Sequence, residues 1–188
     1  MLDNIPYFPY ILSAFIGIGL AAASGFRVFL PMFAVSLASY MGWIPMNDHF
    51  MWLAGLPTLI TTGIATIVEV LAYYIPYVDH LLDTISVPLA TVAGSVLFAS
   101  QFADLGTFPT WALALIAGGG TAAAISSGFA GTRAASTATT GGLGNSVVAT
   151  TETAGAGMMT FLALAAPIIA VIIAIALVVI VFIFGRKL

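Results

Sequence analysis

The sequence predicts an all-α fold: a polytopic transmembrane helical bundle of about five to six spans, with broken or re-entrant helices. Three observations predict it. Hydrophobic residues make up 61% of the 188-residue chain and charged residues only 6%, where soluble domains carry about 25% charge. Mean hydropathy is +1.15. Charges and turn residues then divide the chain into apolar segments near the roughly 20 residues needed to cross a ~30 Å hydrocarbon core. The length allows at most about six or seven crossings and leaves no room for a soluble domain. Residues 1–188 therefore read as a single integral membrane domain whose main partner is the lipid bilayer.

Composition also excludes whole classes of function. The net charge is −3 and no basic run exists, so nucleic acid, which needs clustered Lys and Arg, is not an expected partner. With no cysteine, disulfides, iron–sulfur clusters and thiolate metal sites are out. No metal or other cofactor is expected, and no enzyme motif such as HExxH, GxSxG or a P-loop lysine occurs. No Lys or Arg precedes the first apolar run, so that run reads as a retained span rather than a signal peptide.

Segment one runs from about Pro9 to Tyr40 and is interrupted at Ser24-Gly25-Phe26-Arg27. It is long for one straight helix, so a broken, tilted or re-entrant path is expected. Trp43 and Trp52 fit an interfacial aromatic belt. Segment two runs from about Met51 to Ile75 and holds Glu69. Glu69, Tyr73, Pro76, His80 and Asp83 would line one face of a helix running through Pro76, but Pro76 favours a break, which makes Asp79, His80 and Asp83 part of a separate short helix at the membrane surface. Segment three covers about Val87 to Phe102, a turn follows at 104–109, and segment four runs from Thr110 to Thr132.

Residues 134–151 are uncharged and rich in Thr, Gly and Ala, poor helix formers apart from Ala. They read either as a re-entrant stretch inside the protein or as an extramembrane loop. Segment five, Thr153 to Gly185, has no charge and exceeds one bilayer core at about 1.5 Å per residue. Either Pro167 kinks it or its first part lies outside the lipid. Arg186 and Lys187 close the chain, and the positive-inside rule makes the C-terminus cytoplasmic.

An internal echo is present. Ala21-Ala22-Ala23-Ser24-Gly25-Phe26-Arg27 resembles Ala122 to Phe129, with Arg133 just beyond, and a Glu follows each at Glu69 and Glu152. This is compatible with an inverted repeat of halves near 9–103 and 109–185 and a site at their interface. Small-xxx-small pairs, Ala21/Gly25, Ala124/Gly128 and Thr153/Gly157, allow close helix packing and are compatible with a homo-oligomer.

The candidate site residues are the isolated ionisable ones. Arg27 stands between uncharged runs, residues 4–26 and 28–47. A charge at mid-bilayer costs about 3 to over 10 kcal/mol unless paired or hydrated. Arg27 is therefore either at a helix boundary or the buried partner of a carboxylate such as Glu69. Glu69 is itself paired, protonated or in a wet cavity. Arg133 and Glu152 frame the Thr/Gly stretch, where Thr139, Thr140, Gly141, Gly142 and Gly144 could line an ion path with carbonyls and hydroxyls. Ser24 and Gly25 mark the first break. Asp79, His80 and Asp83 could relay protons or hold a cation, or form a solvated helix face.

Two stretches also carry a family resemblance. Val68-Glu69 through Ile75-Pro76 to Asp79 and Asp83, and Thr132-Arg133 through Thr139-Thr140-Gly141-Gly142 to Asn145 with Glu152 beyond, resemble the signatures of an uncharacterised bacterial membrane family, a domain of unknown function (DUF4126). The resemblance departs at Tyr73-Tyr74, Val87 and Ser146. It implies a compact polytopic membrane protein and marks Arg27, Glu69, Asp79, Asp83, Arg133, Asn145 and Glu152, with no activity attached.

Together these readings lead to an expectation of transport: a channel or secondary transporter for an ion or small polar solute, in a bacterial inner membrane. A structural subunit with helix-locking ion pairs and a lipid-handling protein are the alternatives. The mutual positions of Arg27, Glu69, Arg133 and Glu152 discriminate between them.

Overall fold

In the computed structural model, which describes residues 7–75, 78–102 and 105–185, every regular element is helical. Helix α1 (Phe8–Phe26) ends where Arg27 turns extended, and α2 (Phe29–Tyr40) follows at once. A 3-10 turn over Asp48–Ala54 leads into α3 (Leu56–Ala72), bent 57° from it. Then come α4 (Val78–Ala99), α5 (Thr107–Leu113), a π-helical turn over Ala114–Gly119, α6 (Gly120–Thr140), α7 (Asn145–Ala165) and α8 (Pro167–Gly185). Among the described residues five helices are long and apolar enough to cross a membrane, or six with the bent pair; α2 is a shorter apolar helix.

Burial is arranged as lipid would arrange it. Large apolar side chains such as Ile60, Ile64 and Leu71 on α3 and Ile168, Ile172 and Ile175 on α8 point outward, while Ala21, Ala22, Ala23, Ala122, Ala163 and Ala170 are buried. Small residues let backbones approach, which is how helices gain contact where lipid tails already satisfy large side chains. Helix α1 is the central element and packs on α4, α6, α7 and α8. Gly17 lies on Phe98 and Ala21 on Gly94, so α1 and α4 are antiparallel. A Cβ at Gly25 would stand 2.7 Å from Ile125 Cβ, so the α1–α6 contact requires glycine there. Gly128 similarly abuts Val181, while Gly157 faces open space.

The segment between Ala134 and Thr151 is neither a loop nor a re-entrant stretch. Helix α6 continues to Thr140, a turn follows through Gly141 (φ 63°) and Gly142 (φ 91°), and α7 starts at Asn145. Tertiary context overrides the weak propensity, and the threonine hydroxyls are satisfied along their own helices. Thr139, Thr140, Thr150 and Thr151 each donate to the carbonyl four residues before at 2.7–2.9 Å. The hairpin is also clamped by Arg133 to Glu152 and by Asn145 to Thr137.

Two further boundaries differ from expectation. Asp79, His80 and Asp83 do not form a separate surface helix, because α4 runs unbroken through Pro88; neighbouring helices make proline tolerable in a span. Pro76, on which a break was expected, lies outside the described residues. At Pro167 the chain reverses rather than kinks. Ala166 leaves helical geometry at φ −145°, ψ 66°, as a residue before proline tends to, and Pro167 opens α8 at a position suited to it. Gly19 contacts both Ala163 and Ala170, so α7 and α8 form a hairpin around α1.

The two echo segments lie side by side. Gly25 meets Ala122 and Ile125, and the rings of Phe26 and Phe129 are 4.9 Å apart. Helices α1 and α6 run in the same direction, whereas inverted copies would run oppositely. Glu69 sits on α3 and Glu152 on α7.

Candidate functional site

The helix break is built by a carboxylate. In an unbroken helix the amides of Val28 and Phe29 would bond the carbonyls of Ser24 and Gly25. Instead they donate to Glu69, to Oε1 at 2.8 Å and Oε2 at 3.0 Å. Glu69 comes from the end of α3 and caps the start of α2, where the exposed amides and helix dipole favour an anion. The chain therefore turns at Arg27 and redirects that side chain into the bundle.

Arg27 is 1% exposed. Its Nε donates to Thr153 Oγ1 at 3.1 Å, one terminal nitrogen donates to the Ala149 carbonyl at 2.8 Å, and the same nitrogen lies 3.4 Å from Glu152 Oε2. Arg133, on α6, makes hydrogen-bonded ion pairs to the same oxygen of Glu152 and to Asp83 Oδ1. Tyr73 joins the two arginines: their guanidinium carbons lie 3.9 and 4.0 Å from its ring centroid, inside cation–π range. Glu152 is fully buried and Arg133 is 4% exposed, whereas Asp83 reaches the surface in part.

Five segments thus bring two guanidiniums and three carboxylates to one place. Nineteen residues of α1 rise about 28 Å, so Arg27 stands about one hydrocarbon thickness from the start of α1. It sits at a helix boundary and is also a buried ion partner. Its buried carboxylate is Glu152, with Glu69 held instead by backbone amides. Buried charges persist only when paired and hydrogen-bonded, and this cluster meets that demand incompletely. Arg27 Nη1, Arg133 Nε and Glu152 Oε1 are buried with no hydrogen-bond partner.

Next to the cluster, Asn145 Nδ2 donates to Asp79 Oδ2 at 3.0 Å and to Thr137 Oγ1 at 3.1 Å. Tyr74 and Thr150 hydroxyls meet at 2.8 Å. Asp79 and Asn145 line an open groove of about 860 Å³ together with Tyr73, Tyr74, Gly141 and Gly142. Tyr73 also lines a small cavity of about 10 Å³ beside Glu69, Arg133 and Glu152. It is the wall between groove and cluster. A second groove of about 510 Å³, lined by Asn47, His49, Trp52, Thr110 and Trp111, lies at the opposite end of the bundle.

The candidates from the sequence therefore divide. Arg27, Glu69, Asp83, Arg133 and Glu152 converge, with Ser24 and Gly25 on the cavity wall. Asp79 and Asn145 form an adjoining pair. Thr139, Thr140, Gly141, Gly142 and Gly144 form the tip of the α6–α7 hairpin and do not line the cluster with carbonyls. Thr140 Oγ1 accepts the Gly144 amide at 3.0 Å. His80 lies in α4, and its side chain is outside the described residues. Tyr73, Ser126 and Thr153 were missed. The spacing of Tyr73 four residues after Glu69 places both on one helix face, a pattern the sequence shows without assigning Tyr73 a role.

Fold and site define a multi-pass helical membrane protein with a buried arginine–carboxylate cluster near one end. The chain belongs to the family described as a domain of unknown function (DUF4126), whose model matches residues 14–187. No curated protein and no solved structure matches it.

Proposed function

We propose that this chain is a small transport protein, a channel or secondary transporter, for an ion or small polar solute. The observation that carries this reading is convergence. Arg27, Arg133, Glu152 and Asp83 come from separate segments to one buried point with partnerless polar atoms left over. Intramembrane ionisable groups so placed mark ion and proton pathways more often than plain scaffolding. A broken helix beside such a point is the usual way a transporter exposes backbone polar groups to a solute. The groove at Asp79 and Asn145 is the mouth, Tyr73 closes the path in the present conformation, and the second groove is the opposite opening. By the positive-inside rule, Arg186 and Lys187 put the cluster end on the cytoplasmic face of a bacterial inner membrane.

Glu152 is the residue to test, because Glu69 already serves as a backbone cap. Proteoliposomes of the purified chain, challenged with inorganic ions and small polar solutes on a solid-supported membrane, should give a current. Glu152→Gln should abolish it with helicity unchanged. Equal currents from both proteins would remove the cluster from the path. A helix-locking role is supported by the same capping of α2 by Glu69, and it predicts no current from any solute.

A further inference from the structure

Helices α3 and α4 are consecutive in the chain, yet each finds its packing elsewhere: α3 on α2 and the preceding 3-10 turn, α4 on α1 and α6. Between them lies a cleft of about 150 Å³, lined also by Val28 and Phe29. Helix α3 contributes Ala65, Val68, Glu69 and Ala72 to it. Helix α4 contributes Leu82, Ile85, Ser86 and Leu89. Each set recurs at i, i+3, i+4 and i+7 and so is one continuous helix face. Two such faces look at each other across a gap. Val68, Ile85 and Leu89 are exposed, so the cleft opens on the lipid-facing surface. From Ala65 to Ala72 the helix rises only about 10 Å of a ~30 Å hydrocarbon core. The cleft therefore lies within one leaflet, at the end of the bundle that holds the cluster.

The lining selects the occupant, because its polar side chains are already engaged. Glu69 accepts the Val28 and Phe29 amides. Ser86 Oγ donates to the Asp83 carbonyl at 3.0 Å. Tyr73, at the edge of the cleft, gives its ring to the two guanidiniums. Among the described residues, none of the buried polar atoms left without a partner belongs to a residue of the cleft. Water needs two or more polar partners, and an apolar space of this size stays dry, so neither water nor a polar solute suits it. A further helix, ~10 Å across, is too wide for the slot, and one side chain inserted from it would reach a single level of a cleft that runs two turns. An acyl chain is apolar, narrow and long enough for both turns, and the bilayer supplies it at this surface.

We propose that this cleft is a phospholipid site, in which one acyl chain of a lipid from that leaflet lies between α3 and α4, next to the Glu69 cap of α2. The site stands independently of the transport reading. The full-length chain, purified in detergent and washed free of bulk lipid, is mixed with palmitoyl-oleoyl phosphatidylglycerol and released from the micelle in a native mass spectrometer. One lipid per monomer should survive the collisional activation that strips the rest. Ala72→Phe, which fills the cleft, should lose that lipid, and Ile172→Phe, on the exposed face of α8, should keep it. If Ala72→Phe does not fold, the unmutated chain supplies the reading. The same lipid with a photoactivatable diazirine midway along one chain, added at equimolar ratio, should leave its adducts on the α3 and α4 segments that flank the cleft. No retained lipid, equal retention by Ala72→Phe and Ile172→Phe, or adducts mainly on α8 would each overturn the site. A lipid-free dimer would put a second copy of the chain in the cleft and overturn it as well.

Discussion

At the scale of single residues, the isolated charges were the legible part. Arg27, Glu69, Arg133 and Glu152 stand out because ionisable groups inside apolar runs need partners, and the structure brings all four together. The pairing was not legible. Burial alone offered Glu69 or another carboxylate as the partner of Arg27, yet Glu69 takes the Val28 and Phe29 amides and Glu152 takes both arginines. Which oxygen meets which nitrogen depends on helix packing between segments separated by 19 to 126 residues, beyond any local pattern. Tyr73 shows the same limit. It looked like a departure from a family pattern, and it is the ring on which both guanidiniums stack. Tyr73→Leu should therefore cost about 2 kcal/mol in stability, from two partly desolvated cation–π contacts, and Tyr73→Phe clearly less. Thermal unfolding in detergent measures both, and equal losses would show that the ring face is not what matters.

At the scale of elements, α1 and α2 were readable, and so was the interruption at Pro167, though as a kink and not as the reversal between α7 and α8. Glycine, arginine and proline interrupt otherwise apolar runs there. The α6–α7 hairpin was not, because propensity scales treat threonine as a poor helix former and do not register the contacts that tie the two helices together, Arg133 to Glu152 and Asn145 to Thr137. The capped start of α2 is the element most exposed to a single change. Glu69→Gln leaves one acceptor oxygen for two amides and removes the charge facing the helix dipole. The expected cost is about 1–2 kcal/mol. Hydrogen exchange should quicken at Val28 and Phe29 while α8 stays protected. Unchanged exchange at those amides would mean that the break does not depend on the carboxylate.

At the scale of the whole molecule, the membrane class and the span count followed from composition and segment length, since lipid sets both. The direction of each helix did not, because the apolar faces of α3 and α8 carry no register information. Helix directions place Leu143, at the hairpin tip and 85% exposed, and Phe108, at the start of α5 and 84% exposed, at opposite ends. The chain has no cysteine, so Leu143→Cys and Phe108→Cys can each be labelled alone. In inside-out vesicles an impermeant maleimide should reach Cys at 143 and not at 108, and the reverse pattern would invert the proposed topology. The break at Arg27 also has a consequence for biogenesis. Glu69 is made 42 residues after Arg27 and can secure α2 early, but Arg27's own partners, Ala149, Glu152 and Thr153, emerge from the ribosome only near the end of synthesis. Until then a nascent chain holds an unmatched cation beside the bilayer, so a product truncated before α7 carries a built-in mark of incompleteness for the insertion and quality-control machinery to read.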